Sequence, residues 1–188
     1  MQIAYKNIIL RDYLEKDIAD EIRWFNKETA WMTADTPWEP IVPANEIEIE
    51  NDIRRYLSSI RSDAERSRLE IETEGKHIGF VCAYSPNKDF EIQDNQIQNA
   101  NKYCALGIEI CEPAFWGKGL GAQALSAFIR YYHNYDFNVF YLETWSGNVR
   151  MIKCAEKLGF SIYKRELNAR KVNDVNYDAI FMRLDRVC

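Results

Sequence analysis

The sequence predicts one α+β domain, a central twisted mixed sheet of about seven strands flanked by about four helices. Three observations predict it. Residues 68–84, RLEIETEGKHIGFVCAY, are two apolar stretches around a Glu-Gly-Lys turn, which makes a hairpin. Residues 104–145 read strand, helix, strand, a crossover that sets its two strands parallel with a right-handed connection. Residues 146–160, SGNVRMIKCAEKLGF, read as a helix marked at both ends. Ser146 or Asn148 caps its start, and Gly159 takes the left-handed position after its end. At 188 residues, one domain spanning 1–188 has room for a substantial core.

The remaining elements follow in chain order. NIILR, residues 7–11, reads as a short strand. From Asp17 to Phe25, Ile18, Ile22 and Phe25 recur at helical spacing, with Asp17 as N-cap. WMTADTPWEPIVP, residues 31–43, holds three prolines and two tryptophans and reads as a loop. Ile49, Ile53, Tyr56 and Ile60 predict a helix over 45–61. Residues 85–102 are polar and rich in Asn and Gln, the pattern of an exposed loop. CALGIEIC, residues 104–111, is the next strand and leads into FWGKGLG, residues 115–121. The helix after it presents Leu120, Ala124, Leu125, Phe128 and Tyr132 on one face. NVFYLETW, residues 138–145, is a strand, and two closing strands cover about 161–167 and 177–184.

Composition narrows the function. The net charge of −5 lacks the basic footprint of a nucleic-acid partner and is compatible with a cationic one. No apolar run is long enough to cross a bilayer, and the charged start MQIAYKNIILRDYLEKD has no signal-peptide core, so a cytoplasmic protein without a membrane partner is expected. Cys82, Cys104, Cys111, Cys154 and Cys188 make no CxxC pair and no zinc spacing with His77 and His133. They read as free thiols, and no metal is expected.

The segment FWGKGLG carries the chemistry. It lacks the Lys-Ser/Thr ending of a P-loop, and its GxGxG spacing is not the GxGxxG of a dinucleotide fingerprint. Its place between a strand end and a helix start is the telling feature. There the first-turn N–H groups are unpaired, the helix dipole favours an anion, and glycine lets backbone approach phosphate closely. Lys118 adds a positive charge. A phosphate site outweighs a plain turn.

With GIEICEPAFWGKGLGAQAL and, after a strand, NVRMIKCAEKLGF, the chain resembles the GNAT superfamily of N-acetyltransferases. Asn148 and Glu156-Lys157-Leu158-Gly159-Phe160 match its second hallmark helix, and Trp116-Gly117-Lys118-Gly119 looks most like the branch of ribosomal-protein and polyamine acetyltransferases. The motifs cover about residues 105–160, and the element order on both sides suits a GNAT-like fold. Two positions depart from the pattern. Trp116 stands where the loop usually opens on Arg or Gln, and Ala155 stands where the superfamily often has a general-acid tyrosine.

The resemblance implies roles for residues of this chain. Acetyl-CoA would lay its pyrophosphate on the backbone of Trp116, Gly117, Lys118, Gly119, Leu120 and Gly121, and its pantetheine along Ile108 and Ile110. A bulge in that strand would open the sheet for it. A backbone N–H close to Ile110 would polarise the thioester, and Asn148 would cap its helix, contact the pantetheine, or do both. Glu109, an acidic residue among Leu106, Ile108 and Ile110, is the first candidate for general base, equally readable as a glutamate reaching solvent. Glu143, beside Tyr141, is the reserve, and Glu112 reads as surface. His77 and His133 fall away from the inferred site, and Tyr177-Asp178 reads as structural.

On the acceptor side, Trp31, Asp35, Trp38 and Glu39 offer aromatic walls with carboxylates, suited to an ammonium ion, though tryptophans as often fill the core. The expected activity is direct acetyl transfer to a small cationic amine such as a polyamine or aminoglycoside. A protein N-terminus is the alternative acceptor, and a non-catalytic acetyl-CoA-binding sensor or interaction module the alternative of another class. Oligomeric state stays open, with a homodimer among the options.

Overall fold

The computed structural model describes residues 1–60, 65–86 and 102–185. Within these, eight strands form one sheet: β1 Gln2–Tyr5, β2 Ile8–Arg11, β3 Arg68–Thr73, β4 Lys76–Tyr84, β5 Lys102–Ile110, β6 Phe137–Trp145, β7 Ser161–Val172 and β8 Val175–Asp185. Their spatial order is β1-β2-β3-β4-β5-β6-β8-β7. Every described pairing is antiparallel except β5 with β6, the crossover pair. Five helices accompany the sheet: α1 Ile18–Asn26, α2 Met32–Asp35, α3 Glu46–Ser59, α4 Leu120–His133 and α5 Val149–Lys157. Most of the loop expected at 85–102 lies outside the described residues.

Strand and helix counts exceed the sequence reading for identifiable reasons. β1 pairs back onto β2 through Lys6, which takes a left-handed φ of 52°, a turn too short and too poor in glycine to be marked. The final strands are longer than expected because Asn173 and Asp174, at φ 48° and 65°, make the two-residue turn that continues both arms of the hairpin. Part of the proline-rich segment is helical: a 3-10 turn at Thr29–Trp31 runs into α2 before the chain becomes irregular. Asp17 stands at the start of α1 but does not cap it with its side chain. The carboxylate instead accepts from the two terminal Arg11 guanidinium nitrogens at 2.6 and 2.8 Å and from the Leu14 N–H at 2.8 Å. A buried bidentate ion pair outcompetes a single neutral cap.

The two faces of the sheet are covered differently. α4 and α5 close one face, where Leu120, Ala124, Leu125 and Phe128 pack on Ile8, Leu69, Ile78, Leu106 and Phe140. This is the main apolar core. Opposite, α1 covers a polar layer: His77 Nε2 sits 2.9 Å from Glu70, Arg68 joins Glu70 and Glu21, and Arg11 joins Asp17 and Glu72. Buried charges of this kind are tolerated only because each finds a partner. Beside them Trp24, Trp31 and Cys111 form a smaller apolar cluster under α2. Among the described residues no helix is long and apolar enough to cross a membrane.

Candidate active site

The site begins where β5 and β6 part. Their parallel register runs from Lys102↔Phe137 to Ala105↔Tyr141 and stops, while β6 continues along β8 to Trp145. Residues 106–110 of β5 therefore keep one neighbour, β4, and an open edge. The register with β4 is regular across 105–110, so the expected bulge is not in this stretch; the irregularity lies near Lys102 and Tyr103. The opening comes from strand divergence. Cys111 N–H donates to Ile78 O at 2.8 Å, which fixes the alternation. Glu109 bonds across to β4, and the main-chain groups of Ile108 and Ile110 turn to the open edge.

The close approach of β4 at this point depends on Gly79. At φ 150°, a Cβ there would lie 1.9 Å from the Glu109 carbonyl oxygen. Only glycine fits.

Beyond β5, a 3-10 turn at Pro113–Phe115 leads to the glycine loop. The Trp116 indole N–H donates to Ile110 O at 2.7 Å, folding the loop back on its own strand. Trp116 spends its backbone N–H on Pro113 O, so the unpaired amides begin at Gly117. Gly119, in the left-handed region at φ 74°, is the N-cap of α4 and brings no side chain to cap it. The first-turn N–H groups of α4 thus open onto a cleft of ≈ 410 Å³. Its lining joins Ile108, Glu109, Ile110, Trp116, Gly117, Gly119, Leu120, Gly121 and Asn148 with Trp31 and Ala34.

Sequence reasoning passed over three cations that line the same cleft from α5: Arg150, Lys153 and Lys157. Their i, i+3, i+7 spacing puts them on one helical face, a signal visible in NVRMIKCAEK beside the end marks and the family motif that the sequence reading took from it. The Arg150 guanidinium lies 4.2 Å from the Trp116 ring centroid. Lys118, by contrast, does not line the cleft: its ammonium rests 4.9 Å over the Phe115 ring.

Glu109 sits half-buried on the opposite face of the strand from Ile108 and Ile110, toward Phe80 and α2. Burial, then the neighbouring charge of Asp35, push its carboxyl up to about 9. Asp35 still reaches solvent, yet desolvation and then Glu39 hold it above the ordinary carboxylate range too.

The other expected residues divide between the cleft and its surroundings. Glu143 is paired with Arg170 at 3.0 Å, which satisfies the charge a free base would need. That same guanidinium lies 5.0 Å over Trp38, so this ring face is already engaged by a cation. Trp31 is 6% exposed, donates to Trp24 O at 3.1 Å and packs edge-on against Phe25; it is a core residue that also walls the cleft. Glu39 is exposed and outside the lining. The amide of Asn148 is engaged at both ends, accepting from Met151 N–H at 3.1 Å and donating to Ala34 O at 3.0 Å. Ala155, fully buried, offers no hydroxyl.

Glu112 holds Arg23 and the Trp24 indole at 2.6 and 2.8 Å, and His133 bonds Phe137 O at 2.8 Å. Asp178 accepts the Asn168 N–H at 3.0 Å, and Tyr177 packs on Trp145. None of the four lines the cleft. Asp17, Asp20 and His77 form a cluster of metal-ligand type, but Arg11 occupies the Asp17 carboxylate and His77 bridges Glu70 and Asp20.

The model of the family described as "Acetyltransferase (GNAT) domain" matches residues 7–161. The chain belongs to the GNAT acetyltransferase family. Solved structures agree in fold. The RimL ribosomal L7/L12 alpha-N-protein acetyltransferase in complex with coenzyme A superposes with a TM-score of 0.74 at 16% identity, over 99% of this chain and 98% of that one. An N-acetyltransferase from Staphylococcus aureus Mu50 gives 0.69 at 18% identity, over 95% and 98%. The ribosomal-protein-alanine N-acetyltransferase from Brucella melitensis gives 0.66 at 16%, over 94% and 98%. No curated protein matches this sequence. Within the GNAT acetyltransferase frame, the eight described strands exceed the seven expected, and the mixed sheet is as predicted.

Proposed function

We propose that this acetyltransferase takes its acetyl group from acetyl-CoA and passes it directly to a primary amine, with a small cationic amine as the favoured acceptor. One observation carries the reading: a single cleft is lined by an anion-ready helix mouth, by three cations of α5 and by Glu109, whose carboxyl is raised. A ligand with several phosphates at one end and a reactive group at the other is the match. The RimL structure, which shares the fold, holds coenzyme A.

In this reading the pyrophosphate meets the backbone from Gly117 to Gly121 and the charges of Arg150, Lys153 and Lys157. The pantetheine runs along the open edge of β5, bonding Ile108 and Ile110 main-chain groups. The Ile110 N–H faces the thioester oxygen and stabilises the charge that develops on it. Holding both reactants in one cleft supplies much of the rate.

Glu109 acts on the amine. With the pocket empty it keeps its proton at neutral pH. An arriving ammonium ion favours the carboxylate, which can then accept the amine's proton. The pocket therefore prefers cations, and Asp35 adds to that preference. Once protonated, Glu109 holds its proton about as tightly as a thiolate does, so it can return that proton to the leaving sulfur, while the second nitrogen proton passes to water as the amide forms. This offers a path for the acid step that Ala155 cannot perform.

The test is an acetyl-CoA turnover screen across polyamines, aminoglycosides, amino acids and N-terminal peptides, paired with acetyl-CoA titration calorimetry of wild type and Gly119→Glu. Turnover on a polyamine or aminoglycoside, with binding abolished by the glutamate, is expected. Turnover on peptides alone would move the acceptor to a protein N-terminus. Binding without turnover would mark a sensor, and normal binding by Gly119→Glu would remove the pyrophosphate from this loop.

A further inference from the structure

The short helix α2 ends on a carbonyl with two unusual partners. Ala34 O accepts the Trp145 indole N–H at 2.9 Å and the Asn148 Nδ2–H at 3.0 Å. The last carbonyls of a helix have no partner within it, so these two side chains complete the end of α2. They come from the far end of β6 and the start of α5. Ala34 and Trp31 wall the cleft on the side of Glu109, and Asp35 follows directly. The bonds therefore tie this part of the cleft lining directly to the end of β6 and the start of α5.

Trp145 is itself firmly held. A Cβ on Gly147 would come within 1.7 Å of its ring, so the indole lies where only glycine leaves space. Tyr177 meets it edge-on at 4.9 Å and Trp38 at 6.0 Å. Trp38 is covered in turn by Arg170, which pairs with Glu143. Residues 34–38 are thus bracketed onto β6, β7 and β8. This arrangement accounts for Trp38 and Glu143, which the sequence pointed to but which stand outside the cleft lining.

We propose that Trp145 and Asn148 are positioning residues for the acceptor: through the Ala34 carbonyl they set the distance between the α2 wall and Glu109. The proposal rests on the acetyl-transfer reading of the cleft. Neither residue needs to touch the amine. They fix the wall against which it is aligned, and small misplacements of a reactant are costly in rate. Trp145 stands outside the cofactor lining, so its loss should affect the acceptor and leave acetyl-CoA alone.

Hydrogen exchange followed by mass spectrometry on the ligand-free protein reads the bracket directly. Trp145→Phe removes the N–H and keeps a ring; Gly147→Ala displaces the ring. Asn148→Asp keeps the oxygen that caps α5 and removes the Nδ2 donor. Each should speed exchange over residues 31–39 by about fivefold or more, with residues 115–125 unchanged. In steady-state assays with spermidine, or whichever amine of the screen turns over, Trp145→Phe should raise the acceptor KM by about five- to tenfold. Its acetyl-CoA Kd should stay within about twofold. Unchanged exchange over 31–39 in all three variants would overturn the bracket. Faster exchange with an unchanged acceptor KM, or with acetyl-CoA affinity falling in parallel, would overturn the positioning role. A wild-type chain that transfers no acetyl group would overturn the underlying reading, and the exchange data distinguish that failure from failure of the bracket.

Discussion

Glu109→Gln should leave the protein more stable and much less active. The carboxyl is pushed from its ordinary 4.5 up to about 9 by burial and then by Asp35. The folded chain keeps this proton across a pH range in which the unfolded chain has lost it. Unfolding then releases a proton, so stability is full below the unfolded value and is lost as pH rises toward the folded one. Neutral pH lies about 2.5 units above the unfolded value, and each unit is worth ~1.4 kcal/mol, which bounds the penalty at roughly 3 kcal/mol. Because the group is only half-buried, solvent trims this to about 1–3 kcal/mol.

Glutamine keeps the shape and cannot ionise. The variant should therefore gain about 1–3 kcal/mol at neutral pH, the gain fading toward about pH 5 and growing toward about pH 8. Removal of a general base should lower kcat by about 10²–10⁴. Urea unfolding followed by tryptophan fluorescence checks the stability side: with a slope near ~2 kcal/mol/M, the midpoint should rise by roughly 0.5–1.5 M. A variant less stable than wild type by the same margin at every pH would refute the argument, since it would show that Glu109 is solvated and ionised in the fold.

Two further outcomes follow from the geometry. Gly79→Ala places a methyl on the Glu109 carbonyl, where neither backbone can yield, so a loss of about 3 kcal/mol or more and a fall in Tm of roughly 10 °C are expected in a thermal melt. Changing Arg150, Lys153 and Lys157 to Gln together should weaken acetyl-CoA binding about tenfold or more and flatten its dependence on salt, measured by calorimetry at two ionic strengths.

Much of the site could be read along the chain because its parts are local. The mouth of α4 needs only a strand, a glycine at left-handed φ and a helix in succession, and FWGKGLGAQAL spells that out. The cap at Asn148 and the left-handed Gly159 are likewise contained within one helix and its flanks. The row Arg150, Lys153, Lys157 was equally local and was missed because a charged helical face ordinarily means solvent.

What the sequence could not show depends on groups distant in the chain. Asp17 follows a cap pattern, but Arg11 reaches it from β2 and claims it. Trp38 and Glu143 are an aromatic ring and a carboxylate suited to an amine until Arg170, from β7, occupies both. The sequence alone determined most of the order of elements, the glycine loop and the place of an acid in a central strand, because periodicity and turn chemistry act between near neighbours. Only the tertiary structure decided which side chains remain available. Each pairing is set by side chains brought together from elements distant in the chain, and nothing in the local pattern records it.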